Sequence, residues 1–176
     1  DKDILLSFQG IDIEEQQYIN RQDCRKKYAI SSTALLIIFE AAFTENSGQM
    51  SLIDLTAAMQ RRKDPIHLIL IGKVHSAEYL KQIQKKIDDL NIHRHITIVT
   101  DISDDSEDLK KVYETADYLM IPQLNANIQN SILQAWASRL PIIAFRSPQT
   151  ERLITHRQNG ILFDNNEVDE MINALN

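Results

Sequence analysis

Short apolar runs alternate with longer amphipathic segments along the whole chain, and this alternation limits the folds open to it. The short runs are rich in Ile, Leu and Val, which is typical of strands buried on both faces. They predict strands at Ile4–Phe8, Leu35–Glu40, His67–Ile71, Ile96–Thr100, Tyr118–Ile121, Pro141–Phe145 and Ile161–Phe163. Apolar residues three and four positions apart predict helices at Leu80–Leu90, Ser51–Arg62, Ser106–Thr115, Ile128–Ser138, Thr150–His156 and Glu167–Leu175.

Strands and helices in strict alternation predict βαβ units and a parallel sheet. Right-handed crossovers then place helices on both faces, so we expect an α/β, Rossmann-like doubly wound fold. The length of 176 residues fits one domain covering 1–176. Such sheets bind ligands at the carboxyl ends of their strands, which directs attention to the loop after each strand.

Composition excludes several functions. The net charge of −6 argues against nucleic-acid binding, because no dense basic stripe is present. No apolar run approaches the roughly 18 residues needed to span a membrane, and no signal peptide is visible. The single cysteine, Cys24, cannot form an internal disulfide, which favours a reduced, cytoplasmic setting. Because the chain lacks an initiator Met, we expect it to be a fragment of a longer protein.

Six segments resemble, in order, motifs of the C-terminal domain of retaining GT-B glycosyltransferases of family four, the glycosyl transferases group 1. The clearest are the "Y-x-x-A-D-x-x-x-x-P" and "I-L-E-A-M-A-S-G-L-P-V-I-A" motifs. The segments are Phe8–Asp12, Ile66–Gly72, His95–Thr100, Tyr113–Pro122, Ile132–Ala144 and Asn159–Phe163. The resemblance covers nearly the whole chain and implies the C-terminal half of a GT-B protein.

In that family this domain binds a nucleotide-diphosphate sugar, and the acceptor sits largely on an N-terminal domain that this chain lacks. The resemblance therefore implies glycosyl transfer to a glycan, lipid or protein acceptor by the full-length protein, with this domain inactive alone. The missing domain would be its partner and could provide peripheral membrane association. The expected location is cytoplasmic, including the inner face of the membrane. The sugar nucleotide is a substrate, and neither a cofactor nor a metal is expected.

The charged positions of the family's site are changed in this chain. Its "E-x7-E" glutamates fall on Ala126 and Gln134, and its glycine-rich segment falls on 127–131, which contains no glycine. The Arg and Lys expected after the first Rossmann strand fall near Ala41–Ala42 and Gln49–Met50. No catalytic side chain can therefore be assigned.

Eight residues at the predicted strand ends remain candidates for donor binding. The backbone at Asp101 and Ile102 matches positions that hold the base in the family. The amide of Gln134 can still hydrogen-bond a ribose hydroxyl, as a neutral group. The candidates are Lys73, Asp101, Ile102, Asn127, Ile128, Gln129, Asn130 and Gln134. The amides at 125–130 fit either contacts with sugar hydroxyls or a helix N-cap with solvated neighbours.

Two functions remain open at the level of the sequence. The chain can be a divergent glycosyltransferase whose phosphate-binding cations come from other strand ends, such as Lys73 or Arg146. Alternatively, it is a catalytically inactive pseudoglycosyltransferase domain that binds a partner or a glycan. The fold alone cannot choose between them. His93 and His95 could share a strand face, but no third ligand accompanies them, so no metal site is predicted.

Overall fold

The computed structural model describes residues 21–102, 106–122, 128–165 and 167–175. Strands occupy β1 (Leu35–Glu40), β2 (Ile66–Ile71), β3 (Ile96–Val99), β4 (Tyr118–Ile121), β5 (Ile142–Phe145) and β6 (Ile161–Phe163). Helices occupy α1 (Arg21–Lys27), α2 (Gln49–Arg61), α3 (Ala77–Asp89), α4 (Glu107–Thr115), α5 (Ile128–Ala137) and α6 (Val168–Leu175). A 3-10 turn covers His93–His95. Within these ranges, each helix is too short or too polar to cross a bilayer.

The strands of the described residues form one parallel sheet in the order β3-β2-β1-β4-β5-β6. This is a doubly wound order, so the predicted Rossmann-like fold is confirmed. The predicted strands from β1 to β6 agree with the structure to within one residue at each end. The predicted strand Ile4–Phe8 lies outside the described residues.

The central strands are buried on both faces, as their composition predicted. All six residues of β2 are buried, including His67, and the interior of β1 is fully enclosed. Helix α3 shows how a surface helix completes this core. Tyr79, Ile83 and Ile87, spaced four apart, point inward, whereas Lys81 and Lys85 are exposed.

Leu90 was placed on the buried stripe of α3 by its spacing, and this assignment is wrong. The helix ends at Asp89, and Leu90 is its C-cap, with 36% of its surface exposed. Ser76 sets the other end, because its side chain accepts a hydrogen bond from the Tyr79 N–H at 3.1 Å. The helix is therefore one residue shorter than the apolar spacing implies at its C-terminus.

The predicted helix at Thr150–His156 is also wrong, since residues 148–153 form turns. Ser147 and Thr150 form a reciprocal pair of hydrogen bonds. The Ser147 N–H donates to the Thr150 hydroxyl at 2.9 Å, and the Thr150 N–H donates to the Ser147 hydroxyl at 3.1 Å. The Asn159 amide then holds the next stretch by donating to the Leu153 carbonyl at 2.9 Å. Side chains that satisfy the backbone locally compete with helix formation. Helix α1, in contrast, was not predicted, because its sequence is mostly charged.

Asp117 fixes the start of β4 against β1 and α1. Its carboxylate accepts the Leu36 N–H at 2.8 Å, and the Asp117 N–H donates to the Leu36 carbonyl at 2.8 Å. Arg21 and Arg25 of α1 reach the same carboxylate at 2.8 and 3.0 Å. The "A-D" motif at this position therefore joins three elements at the amino edge of the sheet, away from the strand ends where ligands bind.

His67 makes the stability of the fold depend on pH. Its side chain on β2 hydrogen-bonds Thr97 at 2.8 Å, and burial lowers its pKa from 6.5 to about 4. The unfolded chain thus binds a proton that the folded chain does not, so stability is full above pH 6.5 and is lost as the pH falls towards 4.

We expect wild type to lose about 2 kcal/mol more than His67→Gln between about pH 7.5 and about pH 5. Urea unfolding at the two pH values measures this difference. His93→Gln, at an exposed position, is the control and should behave like wild type. Equal losses in wild type and His67→Gln would contradict the assignment.

Candidate functional site

The carboxyl edge of the sheet contains the point at which the strand order reverses, between β1 and β4. In doubly wound sheets the ligand crevice opens at this point. Five of the eight candidate residues follow the two strands that flank β1 in the sheet: Lys73 comes after β2, and Ile128, Gln129, Asn130 and Gln134 lie in α5, which follows β4. Asp101 and Ile102 follow β3, two strand spacings from β1, or about 10 Å. The structure thus gathers the candidates at one edge, and Asn127 lies outside the described residues.

The loops after β1 and β2 touch at Gly72. A Cβ on Gly72 would lie 2.0 Å from the Ala41 carbonyl oxygen, and the φ angle of this residue is +156°. The loops are joined further on, where Phe43 N–H donates to the Lys73 carbonyl at 2.9 Å and Ser76 N–H donates to the Phe43 carbonyl at 3.1 Å. Only glycine fits this close approach, so the family-like glycine after β2 has a structural role.

Gln49 stands where the resemblance expects a cation, and its side chain turns inward. It is 1% exposed, and its amide donates to the Ala42 carbonyl at 3.0 Å. The Tyr79 hydroxyl donates to the Gln49 carbonyl oxygen at 3.3 Å. Gln49 therefore ties the loop after β1 to α2 and α3. The loop itself has no Lys or Arg to offer a ligand.

Lys73 and Arg146 were the two alternative cations for binding phosphate, and their surroundings in the structure can be compared. Arg146 forms ion pairs with Asp164 and, at 3.0 Å, with Glu151. These partners raise the Arg146 pKa, first through the hydrogen bond to Asp164, and occupy its guanidinium group. Lys73 is an exposed residue directly after Gly72. Its position after β2, beside the loop that follows β1, keeps Lys73 as a candidate contact for an anionic ligand.

The first two turns of α5 offer a ligand amide side chains and backbone N–H groups, whereas their apolar side chain is buried. Ile128 is 6% exposed and its side chain packs in the core, so a ligand could reach only its backbone. Gln129 and Asn130 are exposed, and Gln134 is half-buried one turn later. The backbone N–H groups that open a helix lack intrahelical partners, which suits them to bind anions.

The remaining two candidates lie after β3. Asp101 is exposed, whereas Ile102 is half-buried and packs against the core. The Ile102 side chain therefore attaches this part of the loop to the core. This arrangement is compatible with the predicted backbone contacts to a base.

Glu40 is a residue at this edge that the sequence analysis did not select. It ends β1, and the Tyr113 hydroxyl of α4 donates to its carboxylate. Burial holds the pKa of the Tyr113 phenol well above its usual value of 10, and the Glu40 charge raises it further. Ser131 of α5 also hydrogen-bonds the phenol. The apolar run that predicted β1 gave no sign that its last residue faces two helices.

A cavity of about 740 Å³ opens at the opposite, amino edge of the sheet. It lies between α1 and the ends of α2 and α6, with Arg21, Arg25 and Arg62 among its walls. Asp117 engages the first two arginines, and Asp64 lies 3.4 Å from Arg62. This cavity is therefore not the predicted donor crevice. Residues 123–127, which follow β4 at the carboxyl edge, lie outside the described part of the chain.

No group of three or more His, Cys, Asp or Glu residues able to hold a metal occurs within the described ranges. His93 and His95 lie in the 3-10 turn before β3 and not on a strand face, contrary to the geometry that a strand would have given. Trp136, a residue of α5, is half-buried and donates its indole N–H to the Asn159 carbonyl at 3.1 Å.

A parallel sheet in this order, with its polar loops gathered at the carboxyl edge, defines a Rossmann-like ligand-binding domain. The chain belongs to the glycosyl transferases group 1 family, whose model matches residues 34–176. The family predicted from the six motifs is thus confirmed.

Curated relatives of the chain are glycosyltransferases. An uncharacterized glycosyltransferase of Haemophilus influenzae is 26% identical over 125 residues, which cover 70% of this chain and 33% of that protein. A GDP-mannose-dependent alpha-(1-6)-phosphatidylinositol monomannoside mannosyltransferase of Mycobacterium tuberculosis is 22% identical over 162 residues, covering 88% and 40%. The chain therefore spans about a third to two fifths of the length of these relatives.

Solved structures with the same fold are GT-B glycosyltransferases. HepE of Anabaena, in complex with UDP and glucose, superposes with a TM-score of 0.79 at 18% identity, covering 94% of this chain and 44% of HepE. The C-terminal domain of LpcC, a glycosyl transferase group 1 family protein of Francisella tularensis, gives 0.71 at 18% identity, covering 89% and 80%. At this identity the likeness establishes the fold, which is that of the C-terminal half of GT-B.

Proposed function

We propose that the carboxyl edge of this sheet binds a nucleotide-diphosphate sugar, and that the full-length protein transfers the sugar to an acceptor. The observation that supports the proposal is that Lys73, Ile102 and the first turns of α5 all follow strand ends at the carboxyl edge of the sheet, where the strand order reverses between β1 and β4. Family membership gives this edge a substrate class. HepE, which shares the fold, was solved with UDP and glucose, and a curated relative is GDP-mannose-dependent.

Each part of the donor has a group of suitable chemistry in this proposal. The backbone at Asp101 and Ile102 holds the base, and the Gln134 amide hydrogen-bonds the ribose. Lys73 and the opening N–H groups of α5, from Ile128 to Asn130, hold the diphosphate. The amides of Asn127, Gln129 and Asn130 contact the sugar. Neither a metal nor a cofactor is required in this scheme, because the leaving diphosphate is stabilised by side chains and backbone dipoles.

The acceptor is assigned to a separate N-terminal domain of the full-length protein, as a glycan, a lipid or a protein. This domain alone is then inactive, since it holds only the donor. A cytoplasmic location, with peripheral association at the inner face of the membrane through the other domain, is part of the same proposal.

A binding domain without catalysis is the second candidate, and the observation in its favour is the scarcity of cations in the loop after β1. The loop after β1 contains no cation, Gln49 is enclosed by the fold, and Arg146 is occupied by two carboxylates. Stabilisation of a leaving diphosphate normally relies on such cations. Transfer or hydrolysis of UDP-glucose or GDP-mannose by the full-length protein distinguishes the two candidates, since a pseudoglycosyltransferase binds without product formation.

Lys73→Ala tests the diphosphate contact. We expect it to weaken UDP or GDP binding about tenfold, because one charge-assisted contact to phosphate is lost, and to leave uridine or guanosine binding unchanged. Isothermal titration calorimetry on the isolated domain measures both. Lys85→Ala, an exposed lysine on α3, is the matched control and should bind like wild type. Absence of binding to every nucleoside and nucleotide would remove the proposed function.

Gln134→Glu tests the ribose contact by restoring the carboxylate of the family motif. We expect uridine or guanosine to bind about fivefold more tightly, because an ionised acceptor forms a stronger hydrogen bond than an amide. The corresponding 2′,3′-dideoxynucleoside should show no gain. Gln84→Glu, on the exposed side of α3, controls for the added charge. A gain that persists without the ribose hydroxyls would contradict the assignment.

A further inference from the structure

The cavity at the amino edge of the sheet has an apolar wall and a charged wall. The apolar wall consists of Leu35 at the start of β1, Met59 of α2, and Ile172 and Leu175 of α6. The volume of about 740 Å³ lies within the range of roughly 300–1,000 Å³ that is typical of small-molecule sites. Because the donor crevice opens at the carboxyl edge, a ligand in this cavity is additional to the sugar nucleotide.

The charged wall carries more positive than negative groups. Among the described residues that line the cavity, three are arginines and two are aspartates, so their formal charges leave a balance of +1. The Asp117 carboxylate is shared by two of these arginines, Arg21 and Arg25, at 2.8 and 3.0 Å. The whole chain has a net charge of −6, so the local balance has the opposite sign. A positive wall beside an apolar wall suits a ligand with one negative charge and an apolar body.

Two of the arginines also have N–H groups with which to bind such a ligand. Arg21 uses its Nε and Nη2 atoms to reach Asp117 and the carbonyl groups at the end of α4. Within the described part of the chain this leaves both N–H groups of Nη1, on a side chain that is 54% exposed. Arg62 approaches Asp64 through Nε at 3.4 Å, and its side chain is 55% exposed. Guanidinium groups bind carboxylates through parallel N–H donors, so these two ends fit a carboxylate.

We propose that this cavity is a second binding site, for a small monocarboxylate with an apolar body. Arg21 and Arg62 bind the carboxylate, and the side chains of α2 and α6 contact the apolar body. Arg25, which is only 12% exposed, holds Asp117 in place and is not a ligand contact. A carboxylate is favoured over a phosphate ester, because a second negative charge exceeds the balance of the charged wall. The inference does not depend on donor binding, since it concerns the opposite edge of the sheet.

Titration of the 176-residue chain with octanoate, followed by amide chemical shifts in NMR spectra, tests the site. We expect saturable shifts in α1, at the end of α2 and in α6. Acetate has the charge without the body and octanol has the body without the charge, so each should bind at least about tenfold more weakly than octanoate. Octyl phosphate should bind no more tightly than octanoate. Absence of octanoate binding, shifts centred on Lys73 and α5, or equal affinity for octanol would overturn the proposal.

Arg62→Gln tests the carboxylate contact. We expect it to weaken octanoate binding about fivefold and to leave octanol binding unchanged, because one charge-assisted contact is lost. Arg94→Gln is the matched control, since Arg94 is an exposed arginine before β3 that does not line the cavity. It should bind octanoate like wild type. Equal octanoate affinity in wild type and Arg62→Gln would overturn the contact.

Ser32→Trp tests the location from the other side, because it adds a bulky group at an exposed position on the cavity wall. Octanoate binding should be lost, whereas urea unfolding should match that of wild type and show that the variant is folded. Octanoate binding that survives in a folded Ser32→Trp would overturn the location. UDP or GDP binding should be the same in all three variants, so failure of this site and failure of the proposed function are distinguishable.

Discussion

Replacing Gly72 with alanine is expected to lower the free energy of unfolding by about 4 kcal/mol. The new Cβ would lie 2.0 Å from the Ala41 oxygen and 2.6 Å from the Ala41 carbonyl carbon, both backbone atoms. Ala41 cannot retreat easily, because its N–H donates to the Ile71 carbonyl at 2.9 Å. The positive φ adds strain for any residue with a side chain. Urea unfolding measures the loss.

Gly160→Ala is the matched control for the steric argument. There the nearest atom to a new Cβ is a side-chain methyl, the Cγ2 of Ile154 at 2.9 Å, and the nearest backbone atom, the Ile142 oxygen, is at 3.2 Å. We expect this variant to lose about 1 kcal/mol. If Gly72→Ala were no less stable than Gly160→Ala, the close approach of the loops after β1 and β2 would not exist as described.

Asp117→Ala is expected to lower the unfolding free energy by about 3 kcal/mol and the melting temperature by about 10 °C. The substitution removes the acceptor of the Leu36 N–H and leaves the guanidinium groups of Arg21 and Arg25 without their carboxylate. The Arg25 side chain is only 12% exposed, so water compensates it poorly. Thermal denaturation followed by circular dichroism gives the shift.

Two further variants separate the contribution of the Asp117 charge from that of its hydrogen bond to Leu36 and from that of an ordinary surface ion pair. Asp117→Asn keeps an acceptor for Leu36 but removes the charge, and should lose about half as much as Asp117→Ala. Asp108→Ala breaks an ion pair with Lys27 in which both side chains are about half exposed, and should leave the free energy of unfolding nearly unchanged. Similar losses for Asp108→Ala and Asp117→Ala would show that Asp117 is an ordinary surface residue.

Both positions lie in segments that resemble the family's motifs, yet both have roles in the fold. Gly72 permits two loops to touch, and Asp117 joins β4 to β1 and α1. Resemblance in these segments therefore supports the architecture more than the activity. The evidence on activity lies at positions such as Gln134, where the chain differs from the family's pattern, and the nucleoside titrations address this residue directly.

The elements that the sequence predicted best are those enclosed by other elements. Every residue of β2 is apolar except His67, which is buried with a hydrogen-bond partner. Such a short apolar run predicts a strand buried on both faces, and the structure confirms it. Predictions failed where local side-chain hydrogen bonds determined the backbone conformation. At residues 148–153 the apolar spacing suited a helix, but Ser147 and Thr150 satisfied each other's backbone groups and produced turns.

The sequence predicted the edge of the sheet at which the described candidate residues lie, but not the contacts that the polar side chains there make. Strand ends of a parallel sheet meet at one edge, so Lys73, Asp101 and the start of α5 were bound to lie there. The pairing of Arg146 was not foreseeable, because its partners Glu151 and Asp164 are on a turn and beyond β6. Nor was the inward turn of Gln49, which depends on two carbonyl groups of the preceding loop and on Tyr79.

The sequence by itself determined the alternation of strands and helices, and with it the parallel sheet, its carboxyl edge and the family. These follow from periodicity and burial, which are local properties of the chain. Only the tertiary structure decided which polar and charged side chains meet, since Glu40 meets Tyr113 across 73 positions and Arg21 meets Asp117 across 96. Electrostatic contacts depend on distance in space, and pattern along the chain does not contain that distance.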